Sequence, residues 1–168
     1  MACSSSFGFD SICVLDGANS GKDISFTIAA DTLGKVLAQN NINLIYGGGN
    51  TRLVSPVASS AHSGEVNILG VIPKPMAGGN LPGPTIGNEL RVAYVQDLTV
   101  IMVNNADAFI VLPGGFGTLG ELFQIVSWSQ LNVHQKTTRL LNVDVFFDGL
   151  LSFLDFCVEK NFISQLSR

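Results

Sequence analysis

Five apolar residues, Ala108-Phe109-Ile110-Val111-Leu112, run straight into Pro113-Gly114-Gly115-Phe116-Gly117-Thr118, and a helical apolar period starts directly afterwards. Few chain paths accommodate that order. The short apolar run is a buried strand, the proline ends it, and the glycines let the backbone come close to whatever lies outside the strand's carboxyl end. The helix, expected to begin near Thr118 with Leu119, Leu122, Phe123 and Val126 near one face, points its unsatisfied N–H groups and positive dipole end at the same place. Strand, glycine turn and helix in that order make an anion site, and a phosphate is its natural occupant.

Elsewhere the chain alternates short strands with helices. Ser11-Ile12-Cys13-Val14-Leu15 reads as a first strand stopped by Asp16-Gly17-Ala18-Asn19, and a helix follows with Ile24, Ile28, Leu33, Val36 and Leu37 on one face. Asn43 to Tyr46 is a second strand ended by Gly47-Gly48-Gly49, and a helical stretch runs from Leu53 to Ala61. Asn67 to Ile72 is a third strand, and Met76 to Gly87, with four glycines and two prolines, reads as a loop. A helix from about Val92 to Asn104 precedes the fourth strand, Ala108 to Leu112. A fifth strand, Leu140 to Val143, leads to a last helix from about Phe147 to Glu159. This alternation predicts an α/β fold: a Rossmann-like open parallel sheet with helices on both faces. The expectation is a single nucleotide-binding domain over residues 1–168, with residues 1–10 disordered.

In such a sheet, ligands bind outside the carboxyl ends of the strands. Three of those ends are glycine- or turn-rich, at residues 16–21, 47–51 and 113–118, and can face a shared crevice. Thr118 and Glu121 also fit a capping box, in which both side chains satisfy N–H groups at a helix start. Gly47-Gly48-Gly49-Asn50-Thr51-Arg52 comes near the dinucleotide fingerprint, but Arg52 occupies its last glycine position, which counts against a nicotinamide-dependent oxidoreductase. His62 and His134 lack metal-ligand spacing, so no metal is expected. Without a G-x-S-x-G elbow there is no nucleophile for a hydrolase of that kind.

A net charge of −4, with nine Lys and Arg scattered along the chain, argues against nucleic acid or an anionic membrane as partner. Met1 to Ser6 lacks a secretory signal's charged and apolar regions, and no apolar run reaches the ~20 residues of a membrane span. Cys3, Cys13 and Cys157 read as reduced thiols of a cytoplasmic protein. Charged residues are only 13% of the chain, against about 25% in an average domain. A second copy, forming a homodimer, is the simplest cover for the surplus apolar surface.

At its glycine loops the chain resembles the LONELY GUY family of cytokinin riboside 5′-monophosphate phosphoribohydrolases, also met under the label "lysine decarboxylase-like". The likeness runs from Ile12 to Ser164. It is carried by Tyr46-Gly47-Gly48-Gly49, by Gly70-Val71-Ile72-Pro73-Lys74, and by Asp107 to Thr118 with Glu121, an intact P-G-G-x-G-T-x-x-E string. Trp128-Ser129-Gln130-Leu131 and Leu141-Asn142-Val143-Asp144 extend it. The resemblance implies hydrolysis of the N-glycosidic bond of an N6-substituted AMP to free base and ribose 5-phosphate, with no cofactor. It also implies that Glu121 is the catalytic carboxylate and that the protein is a homodimer. By the same likeness Gly48, Gly49, Pro113, Gly114, Gly115, Gly117 and Thr118 hold the nucleoside 5′-monophosphate substrate. Three departures stand out. Leu98 occupies the place of the family's arginine, Asp16-Gly17-Ala18-Asn19 replaces Cys-Gly-Ser-Ser, and Arg52 replaces a glycine. In an active enzyme Arg52 or Arg91 would supply compensating positive charge; the alternative is a catalytically impaired nucleotide-binding paralogue.

Overall fold

The computed structural model describes residues 8–17, 19–48, 53–74 and 84–164. Strand β1 (Ser11–Leu15) sends Ile12 and Val14 into one core and Cys13 and Leu15 into another, because successive side chains of a strand point to opposite faces. Strand β2 (Asn43–Tyr46) divides Leu44 and Tyr46 from Ile45 in the same way. The first core lies under α1 (Ile24–Gln39) and α2 (Val54–His62). The second lies under α3 (Val95–Asn105), α4 (Phe116–Gln130) and α5 (Asp148–Glu159). With β3 (Ile68–Pro73), β4 (Asn88–Val92), β5 (Ala108–Val111) and β6 (Thr137–Leu140), the strands form one sheet in the order β4-β3-β2-β1-β5-β6. Every pair is parallel, and the strand order reverses between β1 and β5, so the sheet is the expected open parallel one with its switch point there. Among the described residues no helix is long and apolar enough to cross a membrane.

The structure departs from the sequence reading in several places, each with a physical reason. The sheet has six strands, since Asn88–Val92 pairs with β3, between the loop expected to end at Gly87 and the helix expected from about Val92. Four of its five residues are exposed, so this edge strand lacks the apolar run that marks a buried one. The last strand is Thr137–Leu140, three residues before the apolar Leu140 to Val143; its alternating exposure shows another half-covered edge. On α1, Ile24 is 74% and Ile28 58% exposed, while Ala30, Gly34 and Leu37 are buried. There the helices approach through small residues: a Cβ on Gly34 would lie 2.4 Å from the Val57 carbonyl oxygen of α2. At the amino end, residues 8–10 are held in place, with Phe9 against the first core and the Asp10 N–H bonded to Asp107 at 2.9 Å.

Asp107 ties the starts of β1 and β5 together. Its Oδ2 accepts the N–H groups of Asp10 and Ser11 and the Ser11 hydroxyl. Burial pulls its carboxyl upward, but these bonds and the Lys136 charge outweigh that and hold it below the ordinary value.

One turn carries strain. Within the short 3-10 segment Val143–Val145, Asp144 and Val145 have φ of 47° and 55°, the left-handed region that a β-branched residue adopts only at a cost. Ser25 donates to Asp144, and Phe146 stacks edge-on against Phe26 and Phe147, which fixes the turn against α1. Val145→Gly is therefore expected to stabilise the protein by ~1 kcal/mol, raising the melting temperature by ~3 °C in a thermal unfolding experiment. A lower melting temperature would mean that the valine side chain contributes more than its backbone costs.

Candidate active site

The carboxyl ends of β1 and β5 meet back to back at the switch point. After β5, the Leu112 N–H bonds the Leu15 carbonyl at 2.9 Å, and the chain turns through Pro113 and Gly114. A Cβ on Gly17 would stand 2.8 Å from Gly114 Cα, and one on Gly114 would stand 2.1 Å from Thr118 Oγ1. Only two glycines fit where these backbones touch. Helix α4 begins at Phe116 with Gly115 as N-cap, and its first bond runs from the Leu119 N–H to the Gly115 carbonyl at 3.0 Å. Thr118 lies inside the first turn, so the capping box does not form.

Thr118 is instead 1% exposed and turned against Gly114, and among the described residues its Oγ1 has no hydrogen-bond partner. A buried hydroxyl left unpaired costs roughly 1–3 kcal/mol, so its presence at a helix start marks a place for a polar ligand atom. A Cβ at Gly115 or Gly117 would meet nothing within 4 Å, which leaves open space beside the amino end of α4. Glu121 follows Thr118 by three residues on α4, a neighbouring position on the helix surface, and is half-buried.

The end of β2 completes this edge. Gly48 is buried, and a Cβ there would strike the Ile72 side chain at 2.1 Å. The Tyr46 hydroxyl accepts the Ile86 N–H at 2.9 Å and donates to the Ile86 carbonyl at 3.1 Å, tying β2 to the segment before β4. Gly49 and Arg52 lie outside the described residues. Arg91 is on β4, four strand spacings or ~19 Å from β5, where it pairs with Glu89 at 2.6 Å.

Beside a phosphate, an acidic Asp16 is repulsive unless it has a partner of its own. The structure gives it a partner: it is buried, and its Oδ2 accepts the Val54 N–H at 3.2 Å at the start of α2. Neither this bond nor the contact between Gly17 and Gly114 has a local signal, because both join segments far apart in the chain. The Cys13 thiol is pushed well above its ordinary value, first by burial and then by the charges of Glu121 and Asp16. It is an inert core residue. His134 is satisfied in place, its Nε2 bonded to the Ile125 carbonyl and its Nδ1 accepting the Lys136 N–H. Among the described residues no group of three His, Cys, Asp or Glu is arranged to hold a metal.

Leu98 is 7% exposed in the first turn of α3, within the core that includes Val92, Met102 and Leu122. The adjacent Thr99 donates to Gln124 of α4 at 3.1 Å. Leu98→Arg is expected to destabilise the protein by about 3 kcal/mol, read by urea unfolding, because it puts a guanidinium into apolar surroundings. Unchanged stability would mean that the guanidinium reaches an anionic partner at the site.

Comparisons with known proteins give the family and the fold. A family model described as "possible lysine decarboxylase" matches residues 54–168. Cytokinin riboside 5′-monophosphate phosphoribohydrolase LOG7 of Arabidopsis thaliana is 44% identical over 160 residues, covering 95% of this chain and 74% of that protein. LOG3 of the same plant, also named a cytokinin riboside 5′-monophosphate phosphoribohydrolase, is 43% identical with the same coverage. Among solved structures, the molybdenum cofactor binding protein of Rippkaea orientalis superposes with a TM-score of 0.63 at 20% identity, over 87% of this chain and 83% of that one. That last likeness is one of fold. With a matching family model and relatives of such identity along nearly its whole length, the chain belongs to the LOG family of phosphoribohydrolase-like proteins.

Proposed function

We propose that this protein hydrolyses the N-glycosidic bond of cytokinin riboside 5′-monophosphates, releasing the free cytokinin base and ribose 5-phosphate. The observation that carries the reading is the buried Thr118 hydroxyl at the start of α4, which has no hydrogen-bond partner among the described residues and lies beside a glycine loop with open space around it. The N–H groups of that helix start and the Thr118 hydroxyl suit a 5′-phosphate, with Pro113, Gly114, Gly115 and Gly117 shaping the loop and Gly48 the neighbouring wall. Glu121 lies about one turn further along, ~5 Å in rise, the scale of a ribose with its 5′-carbon. Anchoring the phosphate therefore brings C1′ to the carboxylate.

The chemistry balances without a cofactor. As the bond from C1′ to the base stretches, positive charge builds on the sugar and the Glu121 carboxylate stabilises it. A water oxygen bonds to C1′, one water proton goes to Glu121, and the C1′–N bond breaks with its electron pair on the base. The proton then passes from Glu121 to the base, restoring the carboxylate.

A homodimer is part of this reading. Phe116, at the mouth of the loop, is 96% exposed, and Val95 and Val100 on α3, Phe123 midway along α4 and Leu131 just past its end expose further apolar surface. A second copy would cover them. The unbridged Cys13 and Cys157 and the acidic balance favour a cytoplasmic protein with a small-molecule substrate over one bound to nucleic acid or membrane. Ligand-induced thermal shifts test the phosphate site. AMP and ribose 5-phosphate should raise the melting temperature and adenosine should not, whereas equal shifts with adenosine would contradict the reading.

A further inference from the structure

Strand β4 closes one side of the sheet, and among the described residues no strand lies outside it. Its bonding to β3 fixes which way each peptide group faces. The Lys74 N–H bonds the Val92 carbonyl at 2.8 Å, so the backbone groups of Val92, and by alternation those of Leu90 and Asn88, are turned toward β3. The N–H and C=O groups of Glu89 and Arg91 therefore point outward along the edge. Such a row is a template for another strand unless something blunts it, and the run Asn88-Glu89-Leu90-Arg91-Val92 has neither proline nor lysine. Its first four residues are exposed. Glu89 and Arg91 share one face, where they pair with each other at 2.6 Å and Thr85 donates to the second Glu89 oxygen at 2.7 Å. Leu90, 38% exposed, stands on the other face. The opposite edge of the sheet, β6, carries Arg139 with no acidic residue to meet it.

We propose that β4 is a docking edge for β4 of a second copy of this chain, the two strands running antiparallel about a two-fold axis at Leu90. In that register Glu89 of each copy lies opposite Arg91 of the other. These are the residues whose N–H and C=O groups face outward, so each pair exchanges both of its backbone bonds. The two Leu90 side chains meet in the closer, non-hydrogen-bonded pair, at a Cα separation of ~4.5 Å. Charge selects this register, because centring on Glu89 or on Arg91 would set two carboxylates or two guanidiniums directly opposite each other. Arg91 bonds its own Glu89 through Nε. A guanidinium has five N–H donors, so it can bind the second copy's carboxylate as well. The seam is separate from the apolar surface at Phe116 and Phe123, which belongs to α4. It joins two sheets into one, and where both two-fold contacts form the assembly is a tetramer.

The test is sedimentation velocity on the full chain and two charge variants. Glu89→Arg puts two cations on the strand and Arg91→Glu two anions, so neither variant can pair with itself in this register. Each alone is expected to sediment at half the mass of the unmodified protein at the same concentration. Mixed in equal amounts, the two variants set every charge of one strand opposite its complement on the other, and the full mass should return. The pair within one chain is absent from both variants, so a purely local role for Glu89 and Arg91 would not be repaired by mixing. Single variants with the mass of the unmodified protein overturn the proposal, as do folded variants that stay at half mass when mixed. If either variant fails to fold, judged by far-UV circular dichroism, Leu90→Lys takes its place. Two ammonium groups directly opposite each other should also halve the mass, and an unchanged mass overturns the proposal. Mass is read without turnover, so failure of the phosphoribohydrolase reading would leave the result standing.

Discussion

Replacing Glu121 with glutamine is expected to lower kcat by roughly 10²–10⁴-fold, with KM changed only slightly. Glutamine has the size of glutamate and can accept a hydrogen bond, but it can neither take the water proton nor place a negative charge beside a cationic sugar. The proposed phosphate loop is untouched by the change, so binding should survive. That split between kcat and KM separates a chemical role from a merely structural one. Steady-state kinetics with isopentenyladenosine 5′-monophosphate measures it. If Glu121→Gln retained most of the rate, the carboxylate would have to be sought elsewhere.

The second large effect is expected at Gly114. A methyl group there would lie 2.1 Å from Thr118 Oγ1, 2.7 Å from Thr118 Cβ and 3.0 Å from Gly17 Cα. None of these can retreat cheaply, since Thr118 is inside a helix and Gly17 is backbone. Gly114→Ala should therefore displace the loop, cost about 1–3 kcal/mol of stability, and lower kcat/KM by 100-fold or more, because a misplacement of ~1 Å at an anchoring site is enough for that. Gly120→Ala is the contrast. A Cβ at Gly120 meets nothing within 4 Å, and the residue is helical, so the same substitution should add about 0.5–1 kcal/mol of stability. Chemical denaturation distinguishes the pair. Equal losses from both would mean that the loop's tight packing is not what Gly114 supplies.

The parts of this fold that were legible in the sequence are those where one strand or turn carries its own signal. β1, β2 and β5 are continuous apolar runs buried on both faces, and each is where its apolar residues are. The turn after β5 was legible because proline, glycine and a helix start have fixed backbone consequences. The illegible parts depend on partners distant in the chain. β4 reads Asn-Glu-Leu-Arg-Val and is a strand because β3 offers it an edge, and nothing in its own composition requires that. The buried face of α1 escaped because Ala30 and Gly34 serve close helix approach, while the larger Ile24 and Ile28 that suggested a core face lie outside.

The site divides in the same way. Glu121, Thr118 and the glycines of the loop stand together at the start of α4, as their spacing in one short segment requires. Thr118 could not be told from a capping residue by sequence, since the pattern is the same; the start of the helix two residues earlier decides it. Arg91 could be named but not placed, and the sheet order carries it to the opposite side of the fold. Asp16 carries a charge whose place is explained only by α2, which starts on it.

The most direct test of the central claim is to incubate the protein with isopentenyladenosine 5′-monophosphate and to quantify both products by chromatography and mass spectrometry. Isopentenyladenosine without its phosphate serves as the parallel substrate. The account predicts free isopentenyladenine and ribose 5-phosphate in equal amounts from the monophosphate, and turnover at least 100-fold lower from the riboside, for which the amino end of α4 has nothing to hold. Equal turnover of the two substrates, or no base released from either, would contradict it.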